Sequence, residues 1–174
     1  SQQLGMTGVH MPEDLGGAGF GAVEMAIVCE EMGKSLYAEG VEALKEGDAF
    51  YAAKKFREAE SMMSRYKWAS KASLMASYAD YSRSSYSTAI FGLERHISNY
   101  PADENIPYAH YLIAMCQYEM IEDEKRDIKP LIEAKKNFIF ILDRYPNTDF
   151  ALDAKFKLDL IQDILASKEM YLGR

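Results

Sequence analysis

The clearest structural signal in the chain is Ala134-Lys-Lys-Asn-Phe138-Ile-Phe-Ile141-Leu-Asp-Arg-Tyr-Pro146. A small residue is followed four positions later by a large apolar one, and this spacing places both on the same face of a helix. Tyr-Pro then ends the helix, because proline cannot continue it and disfavours the helical conformation in the residue before it. The stretch therefore predicts an amphipathic helix with a fixed end.

The same skeleton occurs twice more, earlier in the chain. Ala89-Ile-Phe-Gly-Leu93 repeats the spacing and is followed by Tyr100-Pro101, and Ala52-Ala-Lys-Lys-Phe56 gives it a third time. The step from position 52 to position 89 is 37 residues, close to the roughly 34 residues of a tetratricopeptide repeat. Self-similarity at this spacing predicts stacked helical hairpins, each made of a helix A and a helix B.

The boundaries of the units follow from turn and stop signals. In the first unit, helix A begins at Leu36 and carries Gly40, and Gly47-Asp48 makes the turn to helix B. The second unit begins near Trp68, turns at residues 82–85 and ends at Tyr100-Pro101.

The third unit has helix A from about Pro107 to Met120, a charged surface loop at residues 122–130, and a helix B that ends at Pro146. Asn147-Thr-Asp149 then signals the start of a last helix. The predicted fold class is all-α, a tetratricopeptide-type superhelix of about three and a half repeats over residues 35–174. Phe56, Leu93 and Phe138 are predicted to be equivalent buried residues.

Composition narrows the function classes. The net charge of −7 argues against a nucleic-acid surface, which needs clustered Lys and Arg. Cys29 and Cys116 are far apart and are interpreted as free thiols. No apolar run approaches the ~18 residues of a membrane helix, and no secretory signal is visible.

No catalytic constellation is visible in the sequence. His10, His96 and His110 have no metal-ligand spacing, and packed or solvated histidines are expected. The glycines of residues 16–19 lack the Gly-Lys-Ser/Thr ending of a phosphate loop. We therefore predict no catalytic, cofactor-binding or metal-binding residues, no cofactor, and a protein that is not an enzyme.

Residues 1–34 form a separate N-terminal segment in this interpretation. Residues 1–20 are glycine-rich and predicted to be irregular, and a short helix over Ala22–Met32 is predicted to stop at Gly33. The string Gly8-Val-His-Met-Pro12-Glu-Asp-Leu-Gly16-Gly-Ala-Gly19-Phe, with Cys29-Glu-Glu-Met32-Gly, resembles the N-terminal region of acyl-CoA dehydrogenases. That family's flavin site and catalytic carboxylate lie on later segments, so the resemblance implies no flavin chemistry and the segment is expected to be an appendage.

The rest of the chain resembles the BamD family, tetratricopeptide lipoproteins of the bacterial outer-membrane β-barrel assembly machine. The similar stretches include Leu36-Tyr-Ala-Glu-Gly40, Ala69-Ser-Lys-Ala-Ser-Leu74-Met-Ala-Ser-Tyr78-Ala-Asp-Tyr81 and Arg144-Tyr-Pro-Asn-Thr-Asp149. The sequence departs from the family pattern in three respects. The family continues for more than another repeat beyond Arg174, and the resemblance implies that contacts with the barrel-forming partner are made largely there. The other two departures are local. Cys29 follows Val28 instead of the small residue of a lipidation site, and His96 stands where a large apolar residue is usual.

Helix A residues of the first two units have two possible interpretations. They are either inter-repeat core or the lining of a concave groove that binds an extended peptide, since tyrosines give contact area at low entropic cost. The candidate groove residues are Tyr37, Val41, Leu74, Tyr78 and Tyr81, with Lys34, Lys45 and Lys71 along the same helices.

The resemblance implies a non-enzymatic scaffold in outer-membrane protein assembly, at the periplasmic face of the outer membrane. Its partners would be unfolded outer-membrane proteins or other subunits of the assembly machine, with no nucleic acid and no transmembrane segment in this chain. The alternatives are a generic tetratricopeptide adaptor for protein interactions or a fragment of an acyl-CoA dehydrogenase.

Overall fold

The computed structural model describes residues 22–63, 66–120 and 128–172, and these fold into seven α-helices without a strand. The helices are α1 (Ala22–Lys45), α2 (Ala49–Met62), α3 (Tyr66–Ser82), α4 (Tyr86–Asn99), α5 (Ile106–Glu119), α6 (Lys129–Arg144) and α7 (Asp149–Leu172). Each helix packs against the next one along the chain. The all-α prediction is confirmed, with α1–α2, α3–α4 and α5–α6 as helical pairs and α7 as the first helix of a further unit.

The predicted turn at Gly47 and the predicted stops before Pro101 and Pro146 are found where the sequence placed them. Gly47 has a φ of +87°, a conformation that favours glycine, and the Asp48 side chain accepts a hydrogen bond of 3.0 Å from the Tyr51 backbone N–H. Helices α4 and α6 end one residue before Tyr100 and Tyr145, each of which precedes a proline.

The repeated large residues form the centre of each helical pair. Phe56, Leu93 and Phe138 all have an exposed fraction of 0%, so the predicted burial is confirmed. Gly40 shows how closely helices A and B approach, because a Cβ atom added there would lie 2.8 Å from the Phe56 ring. A larger residue at position 40 would push the two helices apart.

A common register relates the A helices. Their buried or half-buried residues recur at spacings of three, four and three on α3, α5 and α7. The three sets are Ala69, Ala72, Ala76 and Ala79; Ile106, Ala109, Ile113 and Cys116; and Ala151, Ala154, Leu158 and Ile161.

The register makes Tyr37, Leu74 and Tyr111 equivalent positions, and each packs on the buried large residue of its own helix B. Tyr37 lies 5.2 Å from Phe56 between ring centroids, Tyr111 lies 6.2 Å from Phe138, and Leu74 shares a cluster with Leu93.

The prediction that the first helix stops at Gly33 is wrong, because α1 continues without a break to Lys45. A Cβ atom at Gly33 would lie 2.6 Å from Met63 Cγ. The glycine thus permits close packing of α1 on the end of α2, and a single helical glycine costs only about 1 kcal/mol relative to alanine. The division of the chain near residue 34 stays a prediction, and it falls within a continuous helix.

Two sequence predictions lie largely outside the described residues. These are the irregular N-terminal segment, at residues 1–20, and most of the charged loop at residues 122–130. In the part of the chain that the structure describes, no helix is both long enough and apolar enough to span a bilayer.

Candidate functional site

The A helices form the inner surface of the stack. The backbones of α3 and α5, and of α5 and α7, come into contact, whereas the backbones of α2, α4 and α6 make no comparable contacts with one another in the described ranges. The side chains of Arg95 on α4 and Glu60 on α2 do meet, in an ion pair of 2.7 Å. A stack of helical pairs curves toward the side on which its successive units approach more closely. The surface of α3, α5 and α7 is therefore the candidate concave surface, and the groove stays a prediction.

A group of aromatic side chains lies on α3, α5 and α7. We call it the aromatic row, and its members are Tyr78, Tyr81, Tyr108, Tyr111 and Phe150, all of them half-buried. Ring centroids lie 6.4 Å apart for Tyr78 and Tyr81, and 5.4 Å apart both for Tyr108 and Phe150 and for Tyr111 and Phe150. The rings of the row thus pack on the A-helix core and are partly exposed.

Three hydroxyls of the row are held neutral by burial. Burial raises the pKa of Tyr108 to about 12, and the nearby Tyr78 and Tyr81 add to the effect. Burial also raises the pKa of Tyr81 and of Tyr111 above the ordinary value. The hydroxyls of Tyr81, Tyr108 and Tyr111 consequently stay protonated near neutral pH, and a protonated hydroxyl can both donate and accept a hydrogen bond.

Polar and charged groups stand beside the row at α7. The Tyr111 hydroxyl donates a hydrogen bond of 2.5 Å to Asp153 Oδ2. One turn further along α7, Lys157 Nζ lies 5.0 Å from the centre of the Tyr118 ring, a cation–π contact. A carboxylate and an ammonium group thus lie beside the row on α7.

The predicted groove residues fall into two groups. Tyr78 and Tyr81 belong to the aromatic row, and Leu74 lies beneath it with an exposed fraction of 6%. Tyr37 and Val41 lie one unit earlier on α1 and pack around Phe56, so they are not part of the row.

The predicted lysines have local partners, and Lys45 and Lys71 are exposed whereas Lys34 is half-buried. Lys34 Nζ lies 2.8 Å from Glu31 Oε1, and Lys45 Nζ lies 3.2 Å from Glu42 Oε2. Lys71 Nζ stands 5.6 Å above the Trp68 ring. Two of the three lysines are thus paired with carboxylates of their own helix.

Sequence reasoning missed Tyr108, Tyr111 and Phe150 as groove residues. Tyr108 and Tyr111 repeat the three-residue spacing of Tyr78 and Tyr81 on the next A helix, and this signal was available. Phe150 could not be placed without knowing how α7 crosses α5.

A cleft extends the groove beyond the row. Tyr86, at the start of α4, lies 5.9 Å from Tyr81 between ring centroids. Beside it is a cleft of about 510 Å³, lined by residues 84–88, Glu119 and Met120. Hydroxyl groups dominate this lining, so the cleft can accept polar groups of a chain that leaves the row.

The candidate groups for metal binding or catalysis are packed side chains. The described residues contain no group of three or more His, Cys, Asp or Glu side chains that could hold a metal ion. His110 packs 4.8 Å from the Phe140 ring, and His96 is buried beside Tyr100. Burial raises the pKa of the Cys116 thiol to about 12, which leaves it protonated and unreactive.

Stacked antiparallel helix pairs with a concave A-helix surface define a tetratricopeptide-type protein. The first tetratricopeptide domain of the human RPAP3 protein has this fold with a TM-score of 0.59 at 18% identity, covering 80% of this chain and 97% of that one. The chain belongs to the outer membrane lipoprotein family, whose model matches residues 30–174. A second family model, the N-terminal domain of acyl-CoA dehydrogenases, matches residues 1–46.

Curated relatives support the assignment to the outer membrane lipoprotein family. The chain is 39% identical to the outer membrane protein assembly factor BamD of Caulobacter vibrioides, over 80% of this chain and 46% of that protein. It is 33% identical to BamD of Rickettsia prowazekii, over 80% of this chain and 56% of the relative. The chain thus spans about half the length of the relatives it matches.

Proposed function

We propose that the protein is a non-enzymatic scaffold in outer-membrane protein assembly that binds extended segments of unfolded outer-membrane proteins in its concave groove. The names of the relatives, which are assembly factors, indicate the process in which the protein acts. The aromatic row is the proposed binding surface. The periplasmic face of the outer membrane is the proposed location, and other subunits of the assembly machine are further candidate partners.

The observation that carries the proposal is the aromatic row, in which Tyr78, Tyr81 and Tyr108 of α3 and α5 pack on a shared core cluster. Five half-buried aromatic rings on three A helices form one surface, held in place by the core on which they pack. Rigid aromatic side chains give a large contact area and lose little conformational entropy on binding. Such a surface suits a chain with alternating apolar side chains, which is the pattern of a strand of a membrane barrel.

The chemistry of the groove suits a main chain that has no secondary structure. An unfolded segment exposes N–H and C=O groups, and the protonated tyrosine hydroxyls can pair with both. The ordering of a flexible ligand reduces affinity. We expect dissociation constants on the order of micromolar.

The test is a titration of a labelled peptide from the C-terminal strand of a barrel protein, followed by fluorescence anisotropy. Tyr78→Ala/Tyr81→Ala should weaken binding by about tenfold or more, as expected for aromatic anchors. The matched control is Phe50→Ala/Phe91→Ala, which removes two exposed aromatic rings from α2 and α4. Equal binding by the wild type and a folded Tyr78→Ala/Tyr81→Ala variant would show that these tyrosines are core residues and take no part in binding.

A generic tetratricopeptide adaptor remains the second candidate, because the fold by itself supports it. The same titration separates the two when a scrambled peptide of equal composition is added. An adaptor with no preference for barrel segments would bind both peptides with equal affinity, whereas the proposed scaffold prefers the native order.

A further inference from the structure

The interface between α3 and α4 contains polar side chains that are fully buried. Ser70, Ser73 and Ser77 of α3 and His96 of α4 all have exposed fractions of 2% or less. Spacings of three and four residues put the serines on one face of α3. We call these four residues the polar seam.

The polar seam lies between the two helices of the second unit. A Cβ atom added at Gly92 of α4 would lie 2.5 Å from Ser77 Oγ, so this serine faces α4 directly. Because α3 and α4 pack as an antiparallel pair, one turn back from Ser77 and one turn on from Gly92 brings Ser73 to the level of His96. The seam therefore runs along the contact between helix A and helix B.

Most of the polar seam does not bond across the interface. Ser77 Oγ donates a hydrogen bond of 3.2 Å to the Ser73 carbonyl, within α3. Ser73 Oγ and both ring nitrogens of His96 have no hydrogen-bond partner within the described residues. The Ser70 hydroxyl is the exception, since it also pairs with the Asp103 carboxylate beyond α4. Separation of α3 from α4 would thus keep the Ser77 bond and let water satisfy three buried polar atoms.

The neighbouring units have few polar side chains at the equivalent positions. The register places Gly33, Leu36 and Gly40 of α1, and Pro107, His110 and Ala114 of α5, at the positions of the three serines. Among these six residues His110 alone has a polar side chain, and buried Ala59 and Ile141 stand at the position of His96. Leu93 also stands where the other units have the larger Phe56 and Phe138. We therefore expect the second unit to open at the lowest cost, since it has the least apolar contact between its own two helices.

His96 couples the polar seam to pH. Burial lowers the pKa of His96 below its ordinary value, and Arg95 on the same helix lowers it slightly further. Glu60 of α2 and Asp103, which follows α4, act in the opposite direction. Glu60 already accepts hydrogen bonds from Arg95 at 2.7 Å and from Tyr100 at 3.1 Å, and α3 presents serine hydroxyls to the ring. A protonated ring is therefore less stable in the closed seam than in water.

We propose that the second unit is an acid-sensitive joint of the stack, in which protonation of His96 opens the α3–α4 interface while the first and third units stay closed. Above about pH 6.5 the ring is neutral in both the open and the closed form, and pH does not shift the balance between them. Below that value the open form takes up a proton that the closed form resists. Opening then becomes more favourable by up to about tenfold per pH unit, until the pH reaches the pKa of the closed form.

The joint divides the aromatic row. Tyr78 and Tyr81 lie on α3, whereas Tyr108 and Tyr111 lie on α5, on the other side of the α3–α4 interface. Opening would separate the two pairs, so a peptide bound to the row would be released at low pH. This consequence rests on the proposed function, whereas the opening itself does not.

Amide hydrogen exchange of the full chain tests the joint without any peptide. The exchange times at about pH 7.5 and about pH 5.5 are scaled for the intrinsic pH dependence of exchange, and protection is compared among the helices. Between these pH values, protection in α3 and α4 should fall by up to about tenfold relative to α1, α2 and α6. His96→Leu should abolish this relative fall, because the variant has no group in the seam that titrates.

Two further variants separate the effect of the ring from that of the serines. His110→Leu removes a half-buried histidine outside the polar seam and should leave the relative fall in place. Ser73→Ala removes one unpaired atom but keeps the ring, so it should raise protection in α3 and α4 at both pH values.

Three results would overturn the proposal. One is an equal fall of protection in all helices of the wild type, which would mean that the stack opens as a whole. Another is a relative fall that persists in a folded His96→Leu variant. The third is a Ser73→Ala variant whose α3 and α4 are protected no better than those of the wild type.

Discussion

The Tyr111 hydroxyl donates a hydrogen bond of 2.5 Å to Asp153 Oδ2 and so joins α5 to α7 beneath the concave groove. Phe150 packs on the same tyrosine ring at 5.4 Å. A single side chain therefore links the third unit to the last helix by both an apolar and a charge-assisted contact. The spacing of the aromatic row depends on this link.

Tyr111→Phe keeps the ring and removes the hydrogen bond. We expect a loss of about 1–2 kcal/mol in the free energy of unfolding, since bonds to charged groups contribute ~1.5–3 kcal/mol and this one is partly exposed. Urea unfolding measures the loss. Tyr118→Phe is the control, because its hydroxyl makes no hydrogen bond within the described residues and should change little. Equal losses in both variants would contradict a specific role for the Asp153 bond.

Phe138→Ala tests the centre of the third unit. Phe138 is fully buried, and its truncation should cost about 3–5 kcal/mol through lost burial and a residual cavity. Phe140→Ala on the same helix is the comparison, because Phe140 is 42% exposed and should lose far less. A cost below about 1 kcal/mol for Phe138→Ala would show that the assigned repeat register is incorrect.

Much of the fold could be predicted because its signals are local. The spacing from Ala134 to Phe138, the turn at Gly47 and the stop before Pro146 are each set by a few neighbouring residues. The predicted stop at Gly33 is wrong because the role of this glycine is set by a distant residue and not by its neighbours in the chain. Its meaning depends on Met63, which is distant in the chain, and a glycine at close helix contact looks like a glycine at a helix end.

The groove was harder to predict than the fold. Periodicity placed Tyr78 and Tyr81 on helix A but could not separate core from groove, since half-buried residues serve both. The aromatic row forms from contacts between α3, α5 and α7, and Phe150 joins it only through the crossing of α7 over α5. Local pattern carries no information about such a crossing.

Two glycines in α1 lie against α2, and both should resist substitution by alanine. Gly40→Ala places a methyl group 2.8 Å from the packed Phe56 ring, and we expect a loss of about 1–3 kcal/mol from overpacking. Gly33→Ala places a methyl group 2.6 Å from Met63 Cγ, close to the backbone, and 3.4 Å from the Ala59 carbonyl oxygen, so we expect a loss in the same range. Thermal unfolding should rank both variants below the wild type. An unchanged melting temperature in either variant would contradict the close approach of α1 and α2 at that glycine.

His96 should make the stability of the protein sensitive to acid. It is fully buried, neither ring nitrogen has a hydrogen-bond partner, and the register gives it the position of Ala59 and Ile141. Burial lowers the pKa of His96 below the ordinary 6.5, and the nearby Arg95 lowers it slightly further. The negative charges of Asp103 and Glu60 act in the opposite direction but do not outweigh burial.

The sign of the pH effect follows from that lowered pKa. Above about pH 6.5 the ring is neutral in both the folded and the unfolded chain, and its contribution does not change with pH. As the pH falls below that value, the unfolded chain takes up a proton that the folded chain resists, and the free energy of unfolding decreases. The loss stops once the pH is below the folded-state pKa.

His96→Leu removes both the titration and the unpaired nitrogens. We expect it to raise the free energy of unfolding by about 1–2 kcal/mol at neutral pH, because buried polar groups without partners are costly. Its advantage over the wild type should grow between about pH 7.5 and about pH 5.5 in urea unfolding. His110→Leu is the control for the other described histidine, which is only half-buried and should remove less of the acid sensitivity. An advantage of His96→Leu that stays constant over this pH range would assign the acid sensitivity to other groups.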